Sequence, residues 1–138
     1  MPKPILLDTD VLIDFLRGHA EAASLVAASS ERLMVSSIGV AELYAGVRGG
    51  ADGAEQAVLE SLLSVFRVVP VSASIARLGG LYKRDYGRSH GVGLADGILA
   101  ATATAEDAEL MTLNVRHYPM FGGIEPAYRM RARRGRGS

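Results

Sequence analysis

Three acidic residues stand where acids are awkward to place. Asp8 ends the apolar run Ile5-Leu6-Leu7. Glu42 lies within Ser37-Ile38-Gly39-Val40-Ala41-Glu42-Leu43-Tyr44, a stretch otherwise apolar or small. Asp96 begins Ala95-Asp96-Gly97-Ile98-Leu99-Ala100-Ala101, which reads as a helix buried on most sides. Carboxylates gathered in a partly buried cleft repel one another, and one of them normally takes up a proton. A divalent cation removes the conflict. With no Cys and no clustered His, an all-oxygen site suits Mg²⁺, with Mn²⁺ able to substitute, better than Zn²⁺. Mg²⁺ keeps several waters, so few protein ligands suffice, and the ion can activate water as a nucleophile.

Each acid also has a plainer reading on its own. Asp8 can cap a helix in the turn after a strand. Asp96, in a first helical turn, can complement the helix dipole. Glu42 lies past the first turn, beyond the reach of capping, although partial exposure would accommodate it. Asn114 and His117, in Thr112-Leu113-Asn114-Val115-Arg116-His117-Tyr118, are further polar candidates, and Asn114 can equally be a turn residue.

Alternating strands and helices position these groups. Ile5–Leu7, Leu33–Val35, Val65–Val69 and Leu110–Leu113 read as strands, with a fifth near Ile124. Helices are expected at 11–17, 20–29, from Ser36 or Ser37 to about Arg48, 54–63, from Ser72 or Ser74 to about Tyr86, and 94–105. Gly18, Gly49-Gly50 and the Gly87–Gly93 stretch serve as stops. The pattern predicts an α/β three-layer sandwich with a central parallel sheet of four to five strands flanked by helices. In such sheets ligands sit beyond the carboxyl ends of the strands, where Asp8 and Asn114 fall and where Glu42 and Asp96 can reach.

The 138 residues suit one domain, taken as 1–128, followed by a basic, disordered tail at 129–138. Net charge is zero, yet five of the fifteen basic residues lie in that tail, leaving ten basic against fifteen acidic in the body. An acidic body is a poor electrostatic match for nucleic acid, unless bound cations capture phosphate. The absence of Cys excludes thiol chemistry and disulfides and suits a cytoplasmic protein. The N-terminus has neither the signal-peptide nor the membrane-anchor pattern. Arg77, Arg84 and Arg88 share one face of the 74–88 helix, either as an RNA-backbone track or as an ordinary solvated face. His19 and His90 have no spaced partners and read as surface residues.

Three blocks carry a resemblance. LLDTDVLIDFLRG at 6–18, SSIGVAELYAGV at 36–47 and LADGILAATATAEDAELMTLNVRHYPMF at 94–121 resemble the signature blocks of VapC-type PIN-domain toxins in order, spacing and chain length. The resemblance covers residues 5 to about 125. It implies a PIN-like fold and Mg²⁺- or Mn²⁺-dependent endoribonuclease activity, in which activated water leaves 5′-phosphate and 3′-hydroxyl ends. It also implies a homodimer, and a hetero-oligomer with a cognate antitoxin that occupies the cleft. The family's acidic ligands map onto Asp8, Glu42 and Asp96, and Thr9 and Ser37 match the hydroxyls beside them. Where many members carry a fourth acid, this chain has Asn114 and His117, which puts a second metal site in question.

Two other readings fit parts of the pattern. Asp8-Thr9-Asp10 after a strand also resembles the nucleophile motif of haloacid-dehalogenase-like phosphatases, with Asp8 attacking phosphorus and Asp10 as general acid. That scheme leaves Glu42 idle and offers Lys83 as the only late lysine. A catalytically silent PIN-like domain that binds RNA or a partner is the alternative from outside enzymology.

Overall fold

A computed structural model of the protein describes residues 3–47 and 53–128. Strand β1 (Ile5–Leu7) is buried throughout. Pleating sends Ile5 and Leu7 into one hydrophobic cluster and Leu6 into another, so the sheet is packed on both faces. The chain continues through α1 (Thr9–Leu16), α2 (Ala20–Ala28), β2 (Leu33–Ser36), α3 (Ser37–Ala45), α4 (Ala54–Leu63), β3 (Arg67–Val69), α5 (Ala73–His90), α6 (Leu94–Glu106) and β4 (Glu109–Met111). Single 3₁₀ turns at Ser30–Arg32 and Val115–His117 complete the described elements. The first cluster joins β1 and β2 to Val11, Leu12, Leu43 and Leu59 of α1, α3 and α4. The second joins Leu6 and Met34 to Leu99, Ala100 and Ala103 of α6, with Tyr118 and, from α5, Tyr82. Three layers result, and full burial of each aliphatic side chain is worth about 1.5–3 kcal/mol.

All pairings are parallel and the strand order is β3-β2-β1-β4. The chain steps outward from β1 to β3, then returns to lay β4 on the other side of β1. The topology therefore reverses between β1 and β4, and the carboxyl ends of this pair are where an open α/β sheet places its ligand. Asp8 leaves β1 at that point, its N–H bonded to Met111 O of β4 at 2.9 Å.

Four strands form among the described residues, and the fifth anticipated near Ile124 does not. Residues 121–128 fold as turns and coil, with Gly123 at φ +77°, and only Ala127 N–H reaches the sheet side of the chain, bonding Thr112 O at 2.8 Å. Helix α5 runs to His90, past the end anticipated at Tyr86. Gly87 is accommodated inside the helix, and the left-handed turn that ends it falls at Gly91, φ +68°. Helix α3 stops at Ala45, short of Arg48; Arg48 and the Gly49-Gly50 stop lie outside the described residues, as does the tail from Arg129. Helices α5 and α6 touch backbone to backbone. A Cβ on Gly97 would collide with Gly79 O, and one on Gly79 would come within 2.8 Å of Ile98 Cα. Among the described residues no helix is long and apolar enough to cross a membrane.

Candidate active site

Asp8 stands at the start of α1, where its plainer reading as a helix cap holds. It is the N-cap of α1, its Oδ1 accepting from Thr9 N–H at 2.7 Å, and it is nearly buried at the switch point. Its Oδ2 accepts from the Thr112 hydroxyl at 2.7 Å and the Tyr118 hydroxyl at 3.0 Å. Burial raises its pKa above the usual carboxylate value, the three donors oppose that rise, and the charge of Asp96 adds to it.

Asp96 sits in the first turn of α6, its Oδ2 accepting from Gly93 N–H at 3.2 Å, so the helix start fixes where it stands. Its Oδ1 faces the Tyr118 hydroxyl at 3.4 Å and its Oδ2 the His117 Nδ1 at 3.2 Å. Glu42, exposed on α3, joins from the opposite side. Its Oε1 accepts from the Thr9 hydroxyl at 2.7 Å, and Thr9 adjoins Asp8 in sequence. Asp8 and Asp96 thus share the Tyr118 hydroxyl, and Thr9 joins Glu42 to Asp8, its hydroxyl donating to Glu42 and its N–H to Asp8.

Sequence reasoning gave Asp10 no place in the metal cluster, and Tyr118 and Thr112 no role at all. Asp10 Oδ2 accepts from Leu113 N–H at 3.0 Å, while its Oδ1 is buried with no hydrogen-bond partner. Burial first, and the Asp8 charge second, push its pKa up to about 6. Thr112, fully buried, holds Asp8 from the end of β4, the strand beside β1. A hydroxyl residue inside the apolar run Leu110–Leu113 is the available signal, but only the β1–β4 adjacency gives it meaning. Tyr118 had no local signal.

The remaining candidates divide. Ser37 Oγ accepts from Val71 N–H at 3.1 Å, which ties α3 to the start of the α5 segment and bonds none of the acids. Asn114 lies against His117, with Nδ2 to Nδ1 2.9 Å, and so meets Asp96 only through that ring. If His117 Nδ1–H donates to Asp96, the amide oxygen of Asn114 must be the atom facing the ring. Arg77, Arg84 and Arg88 are exposed; Arg84 pairs with Asp85, and none bonds the carboxylates. Of the two histidines read as surface residues, His19 is half-buried and stacks on Tyr128, while His90 is exposed.

The donor set fits a hard divalent cation. Among the described residues no Lys or Arg pairs with Asp8, Asp10, Glu42 or Asp96. The Tyr118 hydroxyl has one hydrogen and faces two carboxylate oxygens, and Asp10 Oδ1 is buried without a donor. The cluster thus holds more negative charge than its donors balance. Among the described residues no group of three or more His, Asp or Glu side chains is close enough to hold an ion unaided.

The PIN domain family matches residues 5–119. The chain belongs to that family. It is 43% identical over 135 residues to Ribonuclease VapC10 of Mycobacterium tuberculosis, covering 96% of this chain and 98% of that protein. It is 42% identical over 127 residues to Ribonuclease VapC19 of the same organism, covering 89% and 98%. Among solved structures, a toxin-antitoxin complex from Klebsiella pneumoniae superimposes with a TM-score of 0.76 at 25% identity, covering 91% of this chain and 99% of that one. The phosphatase reading falls with these findings and with Asp10, whose bonded Oδ2 and buried Oδ1 leave no oxygen placed to act as general acid.

Proposed function

We propose that this protein is a Mg²⁺- or Mn²⁺-dependent endoribonuclease of the toxin type, restrained by a protein antitoxin. The observation that carries the reading is the uncompensated set Asp8, Asp10 and Asp96, with Glu42 joined through Thr9, at the reversal point of a PIN fold. The ribonuclease relatives and the toxin-antitoxin neighbour supply the substrate class and the kind of partner.

Asp8 and Asp96 are the residues to hold the cation, with Glu42 as the third acid. Once bound, a divalent ion offsets phosphodiester charge and lowers the pKa of coordinated water. The chain does the rest. Thr9 N–H, Thr112 and Tyr118 fix the Asp8 carboxylate, and the start of α6 fixes Asp96. The acids repel RNA phosphates until a cation is present, so substrate binding and activity depend on the same ion. His117 is the only histidine touching the cluster, which leaves no second imidazole for paired acid–base attack by a 2′-hydroxyl. Attack by water, leaving a 5′-phosphate and a 3′-hydroxyl, is the route this arrangement favours.

A groove of about 670 Å³ runs between α1, α3 and α4, with Leu16, Leu43 and Val58 among its apolar lining and Arg17, Glu42 and Glu55 as its charged members. It suits an amphipathic antitoxin helix whose following arm brings a basic side chain to the acids. A cytoplasmic homodimer that assembles further with antitoxin is the form we propose. Purified protein should cleave RNA with Mg²⁺ or Mn²⁺, stop in EDTA, and leave 5′-phosphate ends. Cleavage that persists in EDTA, or mainly 2′,3′-cyclic phosphate ends, contradicts the reading.

A further inference from the structure

Tyr118 is almost completely buried, 1% exposed, with its ring in the cluster formed by Leu6, Met34, Leu99 and Leu110. Its hydroxyl emerges between two carboxylates that are 88 positions apart in sequence, 3.0 Å from Asp8 Oδ2 and 3.4 Å from Asp96 Oδ1. A core ring with its polar tip at the acids is an unusual use of a tyrosine in an apolar cluster. A phenylalanine would fill the same apolar space.

The geometry has a consequence for Asp8. An ionised carboxylate has about two acceptor positions on each oxygen. On Oδ2 both are taken, by Thr112 and Tyr118; on Oδ1 one is taken, by Thr9 N–H. One acceptor position of Asp8, on Oδ1, is left for a cation. Without the phenol, Oδ2 has a free position, and one of the donors that stop the carboxylate turning is lost. A phenol is neutral near pH 7 and carries one hydrogen to donate.

We propose that Tyr118 is a positioning residue of the carboxylate centre: its hydroxyl selects the Asp8 oxygen presented to the divalent cation and sets the spacing of Asp8 from Asp96. The inference rests on the metal-dependent reading above and adds a residue to it. Tyr118 touches ligands rather than substrate, so its removal weakens capture of the ion and leaves chemistry at saturating ion nearly intact.

The test is Mn²⁺ binding by calorimetry to the full chain, wild type against Tyr118→Phe, with Leu110→Val as a control that loosens the same cluster without touching the hydroxyl. Tyr118→Phe should bind Mn²⁺ roughly tenfold more weakly, the scale of loss when an outer partner of a ligand is removed. The Mn²⁺ concentration for half-maximal RNA cleavage should rise by the same factor, while kcat at saturation stays within about twofold. Leu110→Val should melt lower in EDTA yet bind Mn²⁺ as wild type does. Equal or tighter binding by Tyr118→Phe overturns the positioning role and leaves the metal-dependent reading standing. An equal loss in Leu110→Val also overturns it, because the effect would then be general loosening. Absence of Mn²⁺ binding to wild type overturns the metal reading itself, and the inference with it.

Discussion

Asp10 is the group through which pH acts most visibly on stability. An unfolded carboxyl titrates near 3.8, whereas burial and the charge of Asp8 raise Asp10 to about 6 in the folded protein. The folded state therefore holds this proton more tightly, and the stabilisation is complete below about pH 4 and lost as pH rises through about 6. A rise of this size is worth roughly 3 kcal/mol, or on the order of 10 °C in Tm for a chain of this length. Asp8, raised mainly by its own burial, acts with the same sign. The comparison to make is wild type against Asp10→Asn, unfolded in EDTA at several pH values between about 4.5 and 7.5. Asn cannot titrate in this range, and its amide oxygen can still accept from Leu113 N–H. Wild type should lose about 2 kcal/mol relative to the variant across the window. Mn²⁺ should restore much of that loss at the upper end, because a cation stabilises the charged cluster. A difference that stays flat with pH, or a wild type that gains on the variant as pH rises, refutes the argument.

Three further outcomes follow from contacts in the fold and the site. Gly97→Ala drives a methyl group into Gly79 O, where backbone meets backbone, and should cost about 3 kcal/mol in urea unfolding; a cost under about 1 kcal/mol would mean that α5 and α6 can part easily. Gly80→Ala, one position along the same helix and with open space around its Cβ, should instead stabilise by about 0.5–1 kcal/mol. Asn114 reaches Asp96 only through His117, so Asn114→Ala and His117→Ala should change Mn²⁺ affinity by amounts that do not add in the double variant. Simple additivity would separate the two residues.

The sheet and its helices were largely legible because burial on both faces gives β1 and β2 continuous apolar runs, and because Asp8, Ser36 and Ser72 are strong helix starters. The end of α5 was misplaced because Gly87 and Gly91 look alike in sequence, and only backbone geometry shows which one takes the left-handed turn. Asp8, Glu42 and Asp96 stood out as acids in apolar or small-residue surroundings. What joins them did not stand out. That β4 lies beside β1 is a fact of topology, and without it Thr112 is one more threonine near a strand end and Tyr118 one more core aromatic. Asn114, a polar candidate beyond the carboxyl end of a strand, touches His117 rather than a carboxylate. That pairing depends on the 3₁₀ turn at Val115–His117, which no sequence period announces.

The site's proposed role is that Asp8 and Asp96 hold a divalent cation, with Glu42 as the third acid joined through Thr9, and that RNA cleavage depends on it. Its most direct measurement is the rate of RNA cleavage by Asp8→Asn, Glu42→Gln and Asp96→Asn beside wild type, at matched Mn²⁺ and with folding checked by circular dichroism. Each variant should remain folded and lose cleavage by about a hundredfold or more, since each removes charge from the ion's site. A folded variant that cleaves at the wild-type rate would contradict the claim for that residue, and three such variants would contradict it altogether.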